Sequence, residues 1–137
     1  MATVGPMSAR SIVLLGLVAA LAGCGNPVHS HYSVKETAPC LRKLGYKVET
    51  NASELGPVEA SATDGALLAK ERGNAVTITF SEKASEAKNI EAGYRHFAPK
   101  KLRPHLGDVM SAQKNAVLLW TITPPKDELD RVLGCLR

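Results

Sequence analysis

ALLAKERGNAVTITF, residues 66–80, is the stretch on which the fold turns. Val76, Ile78 and Phe80 alternate with Thr77 and Thr79, the period of two that a strand with one buried face requires. Residues 66–71 precede that strand, and Gly73-Asn74 between them is a hairpin-type pair. With Gly73 and Asn74 at the turn centre, Leu67 faces Phe80 and Ala69 faces Ile78. These four share the core face, which leaves Leu68, Lys70, Thr77 and Thr79 on the other.

Working outward, residues 116–122, AVLLWTI, are nearly all apolar and fit a central strand. Ala116, Leu118, Trp120 and Ile122 are expected under the helices, so Val117, Leu119 and Thr121 point the other way. A strand apolar on both faces needs cover twice. Loop 51–65, segment 100–113 or a protein partner could supply the second cover, and an uncovered face would be an interface of Leu68, Thr77, Thr79, Val117 and Leu119.

Helical periodicity marks the rest. Residues 82–97 carry Ala87, Ile90, Tyr94 and Phe97 on one face, with Ser81 as the expected cap and Pro99 beyond the end. Residues 33–45 read as a helix that stops at Gly45, with Pro39 in its first turn or at a kink. Residues 46–50 alternate as a strand, 51–65 read as loop, and 107–113 give at most a helical turn. Thr123-Pro124 is expected to open a last helix whose apolar face holds Leu129, Val132, Leu133 and Leu136. The order is α-β-β-β-α-β-α. It predicts a single α+β domain with about four mainly antiparallel strands and helices packed mainly on one face.

Charge excludes little but does exclude something. The chain has 17 Lys and Arg against 13 Asp and Glu, interspersed, which suits a solvated surface rather than a nucleic-acid footprint. Six aromatic residues, mostly at core positions, leave few for stacking on bases or sugars. No nucleic-acid partner and no cofactor is expected.

Residues 12–23 form a twelve-residue apolar run behind Arg10 and end in Leu21-Ala22-Gly23, followed by Cys24. This resembles the lipobox of bacterial lipoproteins. The run falls short of the roughly 20 residues of a membrane span. The positive n-region, the short apolar core and the polar stretch that follows suit an export leader. The resemblance implies that residues 1–23 are a lipoprotein signal peptide and that Cys24 is acylated and becomes the first mature residue. Residues 24–32 are then a polar tether, residues 33–137 the domain, and the chain sits on the extracytoplasmic side of a cell membrane, held by lipid. The domain itself resembles the small, functionally uncharacterised lipoprotein domains of bacteria, a comparison that carries no residue roles. With Cys24 assigned to lipid, Cys40 and Cys135 remain as a pair in an oxidising compartment. Such a bond is expected to bring their Cα atoms within about 7 Å and to join the first and last helices.

The remaining polar residues give no strong chemistry. His29 and His31 form an H-x-H pair, but a tether supplies neither a third ligand nor fixed geometry, so no metal is expected. Lys100, Lys101 and Arg103 make the densest basic run, suited to anionic lipid or an acidic wall polymer. Glu91, His96, His105 and Asp108 are the residues that a hydrolase or a metal-dependent enzyme would use, and no nucleophile elbow accompanies them. The expected function is a lipid-anchored, non-catalytic binding or interaction module of unspecified ligand. The alternatives are a structural envelope protein contacting anions through 100–105, and an enzyme.

Overall fold

The computed structural model describes residues 31–137. Residues 1–30, with the expected leader, Cys24 and His29, lie outside the described residues. The elements are α1 (Val34–Lys43), β1 (Lys47–Glu49), α2 (Ala52–Leu55), α3 (Pro57–Ala60), β2 (Ala66–Glu71), β3 (Asn74–Phe80), α4 (Ala87–Phe97), α5 (Leu106–Val109), β4 (Met110–Gln113), β5 (Ala116–Trp120) and α6 (Lys126–Leu133). All five strands join one antiparallel sheet in the order β1-β2-β3-β5-β4. The class is α+β, with β4 added to the strands expected. No helix among the described residues is long and apolar enough to cross a membrane.

The central hairpin turns on Arg72 and Gly73, not on Gly73 and Asn74. Both turn residues have positive φ, 44° and 81°, and Glu71 stands opposite Asn74. A two-residue hairpin with matching twist favours positive φ at both centres, which Gly73 adopts without strain. Asn74 instead joins β3, where its side chain accepts from Ile122 N and donates to Ile122 O, both at 3.1 Å. Leu67 therefore faces Ile78 and Ala69 faces Val76. The register differs from expectation by two residues, and an even slip leaves every side chain on its own face.

One face carries the larger core. Leu67, Ala69, Val76, Ile78, Phe80, Leu118 and Trp120 pack beneath α1 and α6, which contribute Leu41 and Val132. Cys40 and Cys135 are disulfide-bonded with Cα atoms 5.4 Å apart, so α1 is tied to the chain just past α6. The same contact is stitched by Ser33 N donating to Arg137 O at 2.6 Å and by Thr37 Oγ1 donating to the same carbonyl at 3.2 Å.

The opposite face is covered as well, which corrects the expectation of helices mainly on one face. Val117 is fully buried there with Val58 of α3, Ala87, Ile90 and Tyr94 of α4, Leu106 of α5 and Met110 of β4. The cause is β5 itself, whose apolar side chains alternate in direction. Each fully buried Val or Leu contributes roughly 1.5–3 kcal/mol, so a second layer is stabilising.

Several local expectations are revised. Residues 51–65 hold α2 and α3 rather than loop alone. Pro39 lies inside α1, beyond its first turn, at an exposed position. Ser81 does not cap α4. It is buried, and its single hydroxyl proton is shared between the Lys83 and Asn115 carbonyls, 2.8 and 3.0 Å from Oγ. The last helix starts at Lys126 after Pro125, and Ile122 is exposed past the end of β5.

Tyr32 and His31, at the start of the described residues, are hydrogen-bonded to the domain. Asn115, 1% exposed in the β4–β5 turn, accepts from Tyr32 N at 2.7 Å and donates to Tyr32 O at 2.8 Å and Ser81 O at 2.9 Å. Lys114 Nζ stands 5.2 Å from the Tyr32 ring centroid, and His31 Nε2 is 2.7 Å from Asp64 Oδ2. Chain entry is thereby fixed at the Asn115 end of β5.

Candidate functional site

The second face of the sheet is closed around Val117 and open beyond it. A cleft of about 580 Å³ lies among α3, the end of α4, the segment leading into α5, and the 119–121 end of β5. This end of β5 is the one remote from Asn115.

Its floor is built by Gly56-Pro57-Val58-Glu59. Pro57 opens α3 at a position where its missing amide costs nothing. Val58 is buried against α4, and Gly93 permits the approach, since a Cβ there would stand 3.3 Å from Val58 Cγ2. Glu59 sits in the first turn of α3, 6% exposed. Its carboxylate folds back over Gly56, where an added Cβ would come within 2.6 Å of Glu59 Oε2. Glycine at 56 is therefore what lets the carboxylate lie there.

Tyr94 and Thr79 complete a buried polar chain. Tyr94 O–H donates to Glu59 Oε1 at 2.7 Å, and Thr79 Oγ1 is 2.6 Å from the same phenol oxygen. The phenol has one proton and a carboxylate accepts, so Thr79 is the donor to Tyr94. Burial raises the Tyr94 pKa far above the ordinary phenol range. The Thr79 hydrogen bond opposes that shift, and the charge and hydrogen bond of Glu59 add to it. Glu59 Oε2 has no hydrogen-bond partner among the described residues.

Most of the lining is apolar, with Thr77, Thr121 and His105 as further polar members. Leu55, Val109 and Leu119 line the cleft with Pro57, and Phe97 and Leu102 are its exposed large apolar side chains. Phe97 is 59% exposed and Leu102 55%. The apolar stripe of α4 thus runs past the covered part of the sheet, and Phe97 overhangs the cleft instead of joining the core.

The residues picked out in the sequence are dispersed. Of the expected interface, Val117 and Thr79 are fully buried by the chain's own helices and cannot form a surface. Leu119 and Thr77 line the cleft, and Leu68 is half-buried outside it. Arg103 is engaged with the end of α4, donating from Nε to Ala98 O at 3.0 Å and from Nη2 to His96 O at 3.1 Å. Such a contact satisfies carbonyls left open by the helix terminus and places a cation at its negative end. Lys100 and Lys101 are exposed.

His105 lines the cleft, with Nδ1 3.9 Å from Asp108 Oδ2, both side chains about three-quarters exposed at 74% and 73%. His96 packs edge-on against Phe97, with ring centroids 5.0 Å apart. Among the described residues, no group of three or more His, Cys, Asp and Glu side chains is placed to hold a metal ion.

Glu59 and Tyr94 form the polar centre of the cleft. The helical spacing places Tyr94 on a core face, and Glu59 lies in the polar stretch 51–65, which reads as loop. A sequence signal for Glu59 does exist: Gly56, Pro57 and Glu59 occupy the N-cap, N1 and N3 positions of a helix start. No known family model, curated protein or solved structure matches this chain.

Proposed function

We propose that this chain is a lipid-anchored, extracytoplasmic binding module without catalytic action, and that the cleft on the second sheet face is its ligand site. The observation that carries the reading is the cleft itself, about 580 Å³, lined mostly by apolar residues with the hydrogen-bonded Glu59–Tyr94 pair among its few polar groups. Ligand pockets of small molecules are mostly apolar concavities of roughly 300–1,000 Å³ with a few placed polar groups. The anchor rests on the resemblance of Leu21-Ala22-Gly23-Cys24 to a lipobox. Chain entry at Asn115 supports an orientation in which the cleft lies at the far end of β5 from the tether, facing envelope solutes rather than the anchoring lipid.

The test is a titration of the full chain, held in lipid nanodiscs and methyl-labelled at Leu and Val, with indole as a neutral apolar probe. Saturable 1:1 shifts at Leu119, Val109 and Leu106, abolished by Leu119→Trp, are expected. Shifts scattered over the surface, or none, would remove the cleft as a site. For the anchor, Cys24→Ala should release the protein from the detergent phase, and unchanged partition would refute it.

A further inference from the structure

Glu59 sets the chemistry that the cleft can accept. A buried carboxylate is costly unless its oxygens are paired, and the cost reaches several kcal/mol for an ion left without partners. Here Oε1 is served by Tyr94, whose single proton is then committed. Oε2 accepts no hydrogen bond among the described residues and is reached by solvent, although Glu59 as a residue is only 6% exposed. It also lines the cleft. Gly56, beside it, leaves room that any larger residue would fill.

The other cleft-lining groups do not compete for that oxygen. His105 is the one ionisable base among them, and its side chain is 74% exposed. Lys100 and Lys101, beside the lining residues Pro99 and Leu102, are exposed and screened over a Debye length of about 8 Å at physiological ionic strength. Within the cleft, which Glu59 lines, a charge-assisted hydrogen bond is stronger than a neutral one.

Resting on the cleft as the ligand site, we propose that its ligand is an apolar amine, with the hydrocarbon body against Leu119 and Val109 and the protonated amino group donating to Glu59 Oε2. The amino group completes the hydrogen bonding that Tyr94 and Thr79 begin. A carboxylate ligand would meet Glu59 with like charge. An alcohol would bind through a neutral donor alone.

The experiment compares three water-soluble probes of similar shape on the full chain in nanodiscs: phenethylammonium, 2-phenylethanol and 3-phenylpropanoate. Dissociation constants are read from the Leu119 and Val109 methyl shifts. Phenethylammonium should bind at least about tenfold more tightly than either of the others, a gap of about 1.4 kcal/mol. Glu59→Gln should erase the gap, weakening phenethylammonium, leaving 2-phenylethanol nearly unchanged and strengthening 3-phenylpropanoate as the like charge is removed. Equal affinities, or tightest binding by the carboxylate, would overturn the amine and leave the cleft standing as an apolar site. Absence of methyl shifts with all three would overturn the cleft reading and the amine together. Should Glu59→Gln fail to fold, the ranking on the unaltered protein decides.

Discussion

Breaking the Cys40–Cys135 bond gives a stability loss whose size follows from its place in the chain. The bond joins residues 95 apart and so closes nearly the whole described domain. In the chain-entropy relation a loop of that length contributes about 4.7 kcal/mol at 25 °C, by restricting the unfolded chain. A small domain is stable by only roughly 5–15 kcal/mol, so the reduced protein should remain folded with a much smaller margin. Folded geometry should persist, because the Ser33 and Thr37 bonds to the Arg137 carbonyl hold the same two segments without the disulfide. The assay is urea unfolding of the oxidised protein against the Cys40→Ser/Cys135→Ser variant. With a urea slope of roughly 1–2 kcal/mol per molar, the midpoint should fall by about 2–5 M. A shift below about 1 M would refute the entropic argument and mean that the unfolded chain stays compact around these two segments. The variant's native spectrum should superimpose on that of the oxidised protein away from residues 33–43 and 126–137.

Two further substitutions test the polar interior. Tyr94→Phe removes the donor to Glu59 and the acceptor of Thr79, both buried or in the cleft floor. It should lower stability by about 2–4 kcal/mol in calorimetry or urea unfolding, since it strands a carboxylate oxygen and a hydroxyl; a loss under 1 kcal/mol would mean that water serves both. Tyr46→Phe should behave in the opposite way near neutrality, because the Tyr46 hydroxyl is buried and makes no hydrogen bond of normal geometry among the described residues, the Glu71 carboxylate nearby only helping to raise its pKa. Stability at pH 7 should be unchanged or raised by up to about 1 kcal/mol. Its alkaline behaviour is also defined. Burial, then the negative charge of Glu128, raises the Tyr46 pKa from 10.0 to about 12. A raised folded pKa keeps the phenol proton in the folded state, so the Tyr46 contribution is complete below pH 10 and is lost as pH rises toward 12. In that window it should add a slope of about 1.4 kcal/mol per pH unit that Tyr46→Phe removes. Parallel alkaline unfolding curves for the two proteins would contradict this.

Much of the architecture was legible in the residues, for identifiable reasons. Side-chain alternation in 66–80 assigned both faces of the central hairpin, and it survived a turn misplaced by one position because the resulting slip was even. The double-sided apolar pattern of 116–122 signalled a second covering layer, which the chain supplies itself. What escaped was short or tertiary. Helices α2 and α3 have four residues each, too few for a periodic signal. Strand β4, Met110–Gln113, carries one buried residue. Glu59 resembles any surface acid in a polar stretch, and its burial depends on Gly56 in the chain and Tyr94 across the cleft. Arg103 read as part of a basic patch, while the fold directs it to the carbonyls of His96 and Ala98.

The central claim is that the cleft is occupied by a ligand in the envelope, and in-cell photocrosslinking tests it most directly. A photoreactive residue is placed at Phe97, exposed in the cleft lining, or at Lys35, exposed on α1 over the other face of the sheet. After irradiation of intact cells, the peptides that carry these positions are weighed. The account predicts a discrete adduct at 97, its loss when Leu119→Trp fills the cleft, and no such adduct at 35. An unmodified position 97, or an adduct that persists in the filled variant, would contradict it.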